Sequence, residues 1–152
     1  MLRRIRKKMR YLKRRVGSVQ PHDIACYKKL PIIYTYDLPK GILGMFLPVG
    51  AKGVIYIRPD MPPEQEKFVL CHELFHAILK HQGVSMTSEE NMYNPNWLQI
   101  SRQEYEAHMG AACLLLDGFK VSETMSFSYI SKITGCPERI VEKYFQLMPK
   151  RK

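Results

Sequence analysis

Apolar positions near the N-terminus recur at helical spacing. Leu2, Ile5, Met9, Leu12 and Val16 form a stripe along a helix whose other positions are mostly Lys and Arg. Gly17 and Ser18 end it, and Pro21 and Asp23 open a short helix around residues 22–29. The pattern then changes. PIIYTY (31–36) is β-branched and aromatic and reads as a strand, GMFLP as a second short strand turning at Gly50 and Gly53, and GVIYIRP (53–59) as a third. Pro62-Pro63, with Glu64 and Glu66 in the first turn, predicts a helix over about 63–81. Residues 82–100 are polar and read as a long loop carrying Tyr93 and Trp97. RQEYEAHMGAACLLL (102–116) returns to helical character. FSYISKITG and CPERIVEKYFQLM predict a final helical pair that turns at Gly135 and runs to about 148.

This order predicts an α+β fold, with a short three-stranded sheet packed against the apolar 63–81 helix and further helices. The 152 residues suit one domain. It divides into a basic amphipathic helix (1–16), a core (17–120) and a C-terminal helical pair (121–152). The net charge of +10 is localised: residues 1–15 hold nine Lys and Arg and no acid, which leaves 15 bases against 14 acids elsewhere. A short PKRK end (149–152) adds to the basicity. No apolar run suits a membrane span, and MLRRIRKKMR lacks the apolar region of a secretory signal. The expectation is a cytoplasmic protein. Cys26, Cys71, Cys113 and Cys136 form no CxxC pair and read as buried, reduced thiols.

One stretch carries polar groups that its surroundings do not explain. FVLCHELFHAILKH (68–81) is apolar except for His72, Glu73, His76 and its last two residues. Burying such groups without partners costs free energy. Residues four apart share a helix face, so His72 and His76 can aim both imidazoles at one point, as two zinc ligands would. Glu73 sits one position round, beside the metal rather than on it. HELFH is an HExxH motif on a helix, a pattern expected by chance in about one chain in 100 of this composition.

Zinc needs a third protein ligand and an open position for water. The extended metzincin pattern fails, since Leu79 and Gln82 stand where Gly and His would be needed. The 102–116 helix offers Glu104, Glu106 and His108, which cannot all face one point at 100° per residue. Small residues beside Glu106 (Ala107, Gly110, Ala111, Ala112) favour it, with Glu104 second. His22 and His81 read as surface histidines, and His108 as a supporting or surface residue. Zinc at such a site polarises a carbonyl and acidifies water. Glu73 is the general base. Tyr105 and His108 are weak candidates for stabilising the oxyanion. GVIYIR is a strand on which an extended peptide could pair.

At these residues the chain resembles the ImmA/IrrE family of metallopeptidases, over residues 20–117. IACYKKLPIIYTYDLPKGILGMF is similar to the family's leading helix, strand and turn. GVIYIRPDMPPEQEKFVLCHELFHAILKH is similar to its strand, loop and HELGHxLxH helix, and QEYEAHMGAACLLL to its ExEAxxFAxxLL helix. The resemblance implies a small zincin-like, gluzincin-like domain that binds Zn2+ through His72, His76 and Glu106, with Glu73 as base. It also implies cleavage of a partner helix-turn-helix repressor that silences phage or mobile-element genes. Some relatives act on stress-response regulators instead. Phe75 stands where a Gly is usual, Gly110 where an apolar aromatic is usual, and Asp117 where Pro commonly ends the helix. A size exchange across one helix contact would account for the first two.

Two other readings stand beside this one. A nucleic-acid-binding module would use the basic arm for phosphate contacts, and ISKITGCPERIVEKYF has a faint helix-turn-helix look. Glu138 and Glu142 oppose that role. A non-catalytic zinc-binding module would not need Glu73. The arm itself reads first as a solvated or docking helix, second as a weak DNA contact and third as a membrane-surface helix.

Overall fold

The structure is a computed structural model that describes residues 1–93 and 96–148; Asn94 and Pro95 of the expected loop and the basic 149–152 end lie outside the described residues. In chain order the elements are α1 (Leu2–Val16), α2 (Pro21–Tyr27), β1 (Ile32–Tyr34), β2 (Ile42–Leu47), β3 (Val54–Ile57), α3 (Pro63–Ile78), β4 (Ser85–Ser88), α4 (Glu89–Tyr93), α5 (Arg102–Leu116), α6 (Phe127–Thr134) and α7 (Glu138–Leu147). The α+β expectation holds. Among the described residues the sheet has four strands rather than three, in the order β1-β3-β2-β4, with β1 parallel to β3 and the other pairs antiparallel. The extra strand, β4, and the short helix α4 lie inside the segment expected to be loop.

The three expected strands form where β-branched and aromatic residues cluster. β3 is interior, paired on both sides. GVIYIR therefore has no free edge and cannot take a peptide strand, which corrects that expectation. β2 breaks register between Ile42 and Gly44. A Cβ on Gly44 would lie 2.5 Å from Val69 Cγ1 and 3.4 Å from Glu73 Cγ. The missing side chain lets α3 settle directly on β2.

Helix α3 is the centre of the molecule. Phe68, Val69, Leu70, Cys71, Leu74 and Phe75 are buried in it. It packs on the sheet on one side and on α5 on the other. The stripe of α1 is buried at Ile5, Met9 and Leu12 against the domain, chiefly on α5, and Gly17 closes the helix in a left-handed cap. Of the readings offered for the arm, intramolecular docking is the one the structure displays. Two ion pairs fasten it: Arg4 to Glu106 (2.5 Å) and Arg6 to Asp117 (3.2 Å). Asp117 also accepts a hydrogen bond from Tyr144 of α7. The residue standing in place of the usual Pro thus ties α1 and α7 to the end of α5. Cys71, Cys113 and Cys136 are buried free thiols as expected, whereas Cys26 is exposed. Among the described residues no helix is long and apolar enough to cross a membrane.

Candidate metal centre

The two histidines of HELFH lie one turn apart on α3, with both Nε2 atoms pointing into the gap between α3 and α5. Their Nε2 atoms are 3.2 Å apart. Glu104, in the first turn of α5, completes a triangle: Oε2 lies 3.1 Å from His72 Nε2, and Oε1 lies 2.9 Å from His76 Nε2. Both histidines are buried and Glu104 is partly exposed. For ligands 2.0–2.1 Å from a tetrahedral zinc, donor atoms sit about 3.3 Å apart. The separations, 2.9–3.2 Å, lie a little below that value, and the two carboxylate contacts are made by different oxygens of Glu104. Two imidazole nitrogens and a carboxylate facing one another are a donor set that zinc takes. The residues present therefore fit zinc, with one side open.

The third position differs from the expectation. Glu104 reaches the imidazoles, and Glu106 does not. Two residues along a helix is a rotation of about 200°, which turns Glu106 towards α1 and the far end of α3. There its Oε2 meets Arg4, and its Oε1 lies 3.8 Å from His81 Nε2 and 3.6 Å from Arg102 Nε. The sequence did hold a pointer to Glu104. Ala107, His108 and Ala111 stand three, four and seven residues after it, the spacing of one helix stripe. The small residues counted in favour of Glu106 are as well placed for Glu104. SRQE (101–104) also matches a capping box, which makes Glu104 look like an ordinary helix-start residue. Half of the box forms: Ser101 Oγ accepts from the Glu104 amide at 3.1 Å. The Glu104 side chain turns to the histidines instead.

Strand β4 orients both carboxylates. Its alternation buries Ser85 and Thr87 and exposes Met86. Ser85 Oγ donates to Glu104 Oε1 (3.3 Å), and Thr87 Oγ1 donates to Glu73 Oε1. Glu73 is fully buried, and its Oε2 has no hydrogen-bond partner among the described residues. Burial raises the Glu73 carboxyl, partly offset by His72, His76 and Thr87. Burial would also raise Glu104, but the two imidazoles override it and hold that carboxyl well below the usual carboxylate range. For His72 burial opposes protonation, yet Glu104 and Glu73 outweigh it and the net shift is upward.

The other three histidines, expected at the surface or, for His108, in a supporting place, differ in what they touch. His22 is exposed and bonds the Tyr34 hydroxyl at 2.9 Å. His108 is buried, its ring 4.5 Å from that of His72, and burial pushes its pKa well down. His81, expected at the surface, has a side chain only 7% exposed, and its Nδ1 lies 3.0 Å from His76 Nδ1. Burial, then the neighbouring His76, lowers its pKa. Tyr105 packs edge-on against Trp97. A cleft of about 620 Å³ opens beside the triangle, with Val84, Ser85, Met86, Glu104 and His108 in its wall.

A search of curated proteins finds no match to this chain. The profile of the Peptidase_M78 family, described as the IrrE N-terminal-like domain, matches residues 29–128. That stretch is about two-thirds of the chain and runs from the residues before β1 into α6. It contains HELFH, β4 and Glu104, and the chain belongs to the Peptidase_M78 family.

Proposed function

We propose that the protein is a zinc-dependent, site-specific peptidase whose substrate is a partner helix-turn-helix repressor. The observation that carries the peptidase reading is the convergence of His72, His76 and Glu104 beside a buried Glu73, in a chain of a family whose peptidases are zinc-dependent. When bound there, zinc lowers the pKa of water and polarises a scissile carbonyl. Glu73, held through Oε1 by Thr87, presents its unpartnered Oε2 to take the proton from the attacking water and deliver it to the leaving amine. Its burial favours protonation, as suits a group that must accept a proton and release it again.

Strand β4 supports an extended peptide as substrate. Among the described residues it pairs with β2 on one side only, and it borders the cleft on the other. A peptide added along that edge would lie across the donor triangle, with main-chain hydrogen bonds holding it in register. The resemblance of the chain to the ImmA/IrrE peptidases points to a repressor as the protein so held, and to release of phage or mobile-element genes as the result. Docking of α1 leaves its Lys and Arg side chains largely outward, so a weak contact with DNA near a bound repressor fits this role.

The test is co-incubation of the zinc-loaded protein with the repressor encoded beside its gene, with fragments read by mass spectrometry. Glu73→Gln should retain zinc and lose cleavage. Cleavage unchanged in that variant would refute the mechanism. Zinc binding with no cleavage by the unaltered protein would favour the non-catalytic zinc module.

A further inference from the structure

A metal-binding imidazole needs its ring orientation fixed, and its other nitrogen is where that happens. The two histidines of HELFH differ in this respect. His72 Nδ1 is buried without a hydrogen-bond partner among the described residues, so packing against Phe68 and His108 holds that ring. His76 Nδ1 has a side-chain partner, His81 Nδ1 at 3.0 Å.

His81 reaches that place by an unusual turn. Helix α3 stops at Ile78, and Lys80 takes a left-handed conformation (φ 55°). Few residues other than glycine, asparagine and aspartate adopt it without cost. The turn folds the chain back so that the His81 amide donates to the His76 carbonyl at 2.9 Å. The His81 ring then lies between His76 and α5. Its Nε2 is buried with no hydrogen bond among the described residues, and it lies 3.8 Å from Glu106 Oε1. The other oxygen of Glu106 is held by Arg4 at 2.5 Å.

We propose that His81 and Glu106 are positioning residues for His76, and that Arg4 ties helix α1 into the same chain of contacts; the proposal rests on the metal reading of the triangle above. Proton bookkeeping gives the chain a direction. His76 meets the metal through Nε2, so its proton sits on Nδ1 and is donated to His81 Nδ1. The His81 proton is then confined to Nε2, where it points at the Glu106 carboxylate. The 3.8 Å gap is longer than a hydrogen bond, and a small movement of either side chain closes it to one. Arg4 sets where the carboxylate stands. The basic N-terminal helix thereby takes part in holding a metal ligand, although it lies outside the segment that matches the family profile.

The experiment is zinc affinity of the full chain, measured by competition with a fluorescent chelator, alongside the visible spectrum of the cobalt form. Outer partners of metal-bound histidines are typically worth about 10–100-fold in affinity. His81→Phe should weaken zinc binding by about that factor and shift the cobalt bands. His81→Asn, whose amide oxygen can accept from His76, should recover much of the loss. Glu106→Gln and Arg4→Met should weaken binding in the same direction by less. Arg6→Met removes the other ion pair of α1 and should leave affinity unchanged. Nitrogen-15 spectra of the zinc-loaded protein should show His76 protonated only on Nδ1 and His81 only on Nε2, a reading that needs no variant to fold. Affinity in His81→Phe equal to that of the unaltered chain, or the opposite His81 tautomer, would overturn the proposal while the metal site stands. Equal losses in Arg4→Met and Arg6→Met would overturn the part given to Arg4. Absence of zinc binding by the unaltered chain would overturn the metal reading and this one with it.

Discussion

Gly110→Ala adds one methyl group to the contact between α3 and α5, and the structure dictates its sign. The new Cβ would stand 2.3 Å from Phe75 Cδ1, 2.5 Å from Cγ and 2.8 Å from Cε1. Carbon atoms in contact rest about 3.5–4.0 Å apart, so something must retreat by more than about 1 Å. The ring has no room to swing clear, because Cγ is only two bonds from the Phe75 Cα and the side chain is 1% exposed. Overpacking of this kind costs about 1–3 kcal/mol. Alanine in place of a mid-helix glycine returns about 1 kcal/mol of helix propensity. The steric cost exceeds the gain, leaving a net loss of up to about 2 kcal/mol.

In a Phe75→Ala background the sign should reverse. Removing the ring costs about 3–5 kcal/mol and opens space. Gly110→Ala then fills part of that space and keeps the helix gain, so it should stabilise by about 1 kcal/mol. Urea denaturation of the four proteins in chelator would give a coupling energy of about 1–3 kcal/mol, within the range for residues in contact. Effects that add to within about 0.5 kcal/mol, or a stabilising Gly110→Ala in both backgrounds, would refute the reasoning. The contact also bears on the site. Helix α3 carries His72 and His76 while α5 carries Glu104, so a 1 Å retreat, as estimated above from carbon contact distances, would stretch the donor triangle and weaken zinc binding as well.

Three further outcomes can be checked. Glu104→Ala should abolish stoichiometric zinc binding, whereas Glu106→Ala should retain one zinc with weakened affinity; metal analysis after dialysis separates the two, and the reverse order would restore Glu106 as a ligand. His108→Phe should keep zinc and lower kcat by about 100-fold or more if the imidazole on the cleft wall donates to the developing oxyanion; an unchanged kcat removes His108 from that role. Iodoacetamide near neutral pH should modify the folded protein only at Cys26, because burial pushes the Cys71 and Cys113 thiols up to about 12 and Cys136 well above its usual value; mass spectrometry finding further adducts would contradict the packing around α3.

What the sequence hid has a physical pattern. The stripe of α1, the apolar body of α3 and the limits of α5 were legible, because an apolar residue announces its own burial and its spacing announces the element. Strand β4 was not. Its inward residues are Ser85 and Thr87, and nothing about SMTS says that hydroxyls should face inward until Glu104 and Glu73 are known to need donors. Glu104 is hard to pick out because small residues adjoin Glu106 directly while its own stripe recurs at three, four and seven, and because a helix-start glutamate has a bland explanation. His81 was unreadable, since its burial depends on one left-handed residue, Lys80, where composition suggests nothing unusual. In each case the position of a polar side chain depends on another polar side chain that the sequence pattern does not pair with it. Such groups become legible in pairs. The Phe75–Gly110 contact was anticipated for that reason: each departure from the family pattern is unexplained alone, and together they conserve volume across one interface. The same logic applied to the site would have asked which carboxylate the pair His72 and His76 leaves without a competing partner. Glu106 has Arg4, and among the described residues Glu104 has only the histidines and a serine hydroxyl.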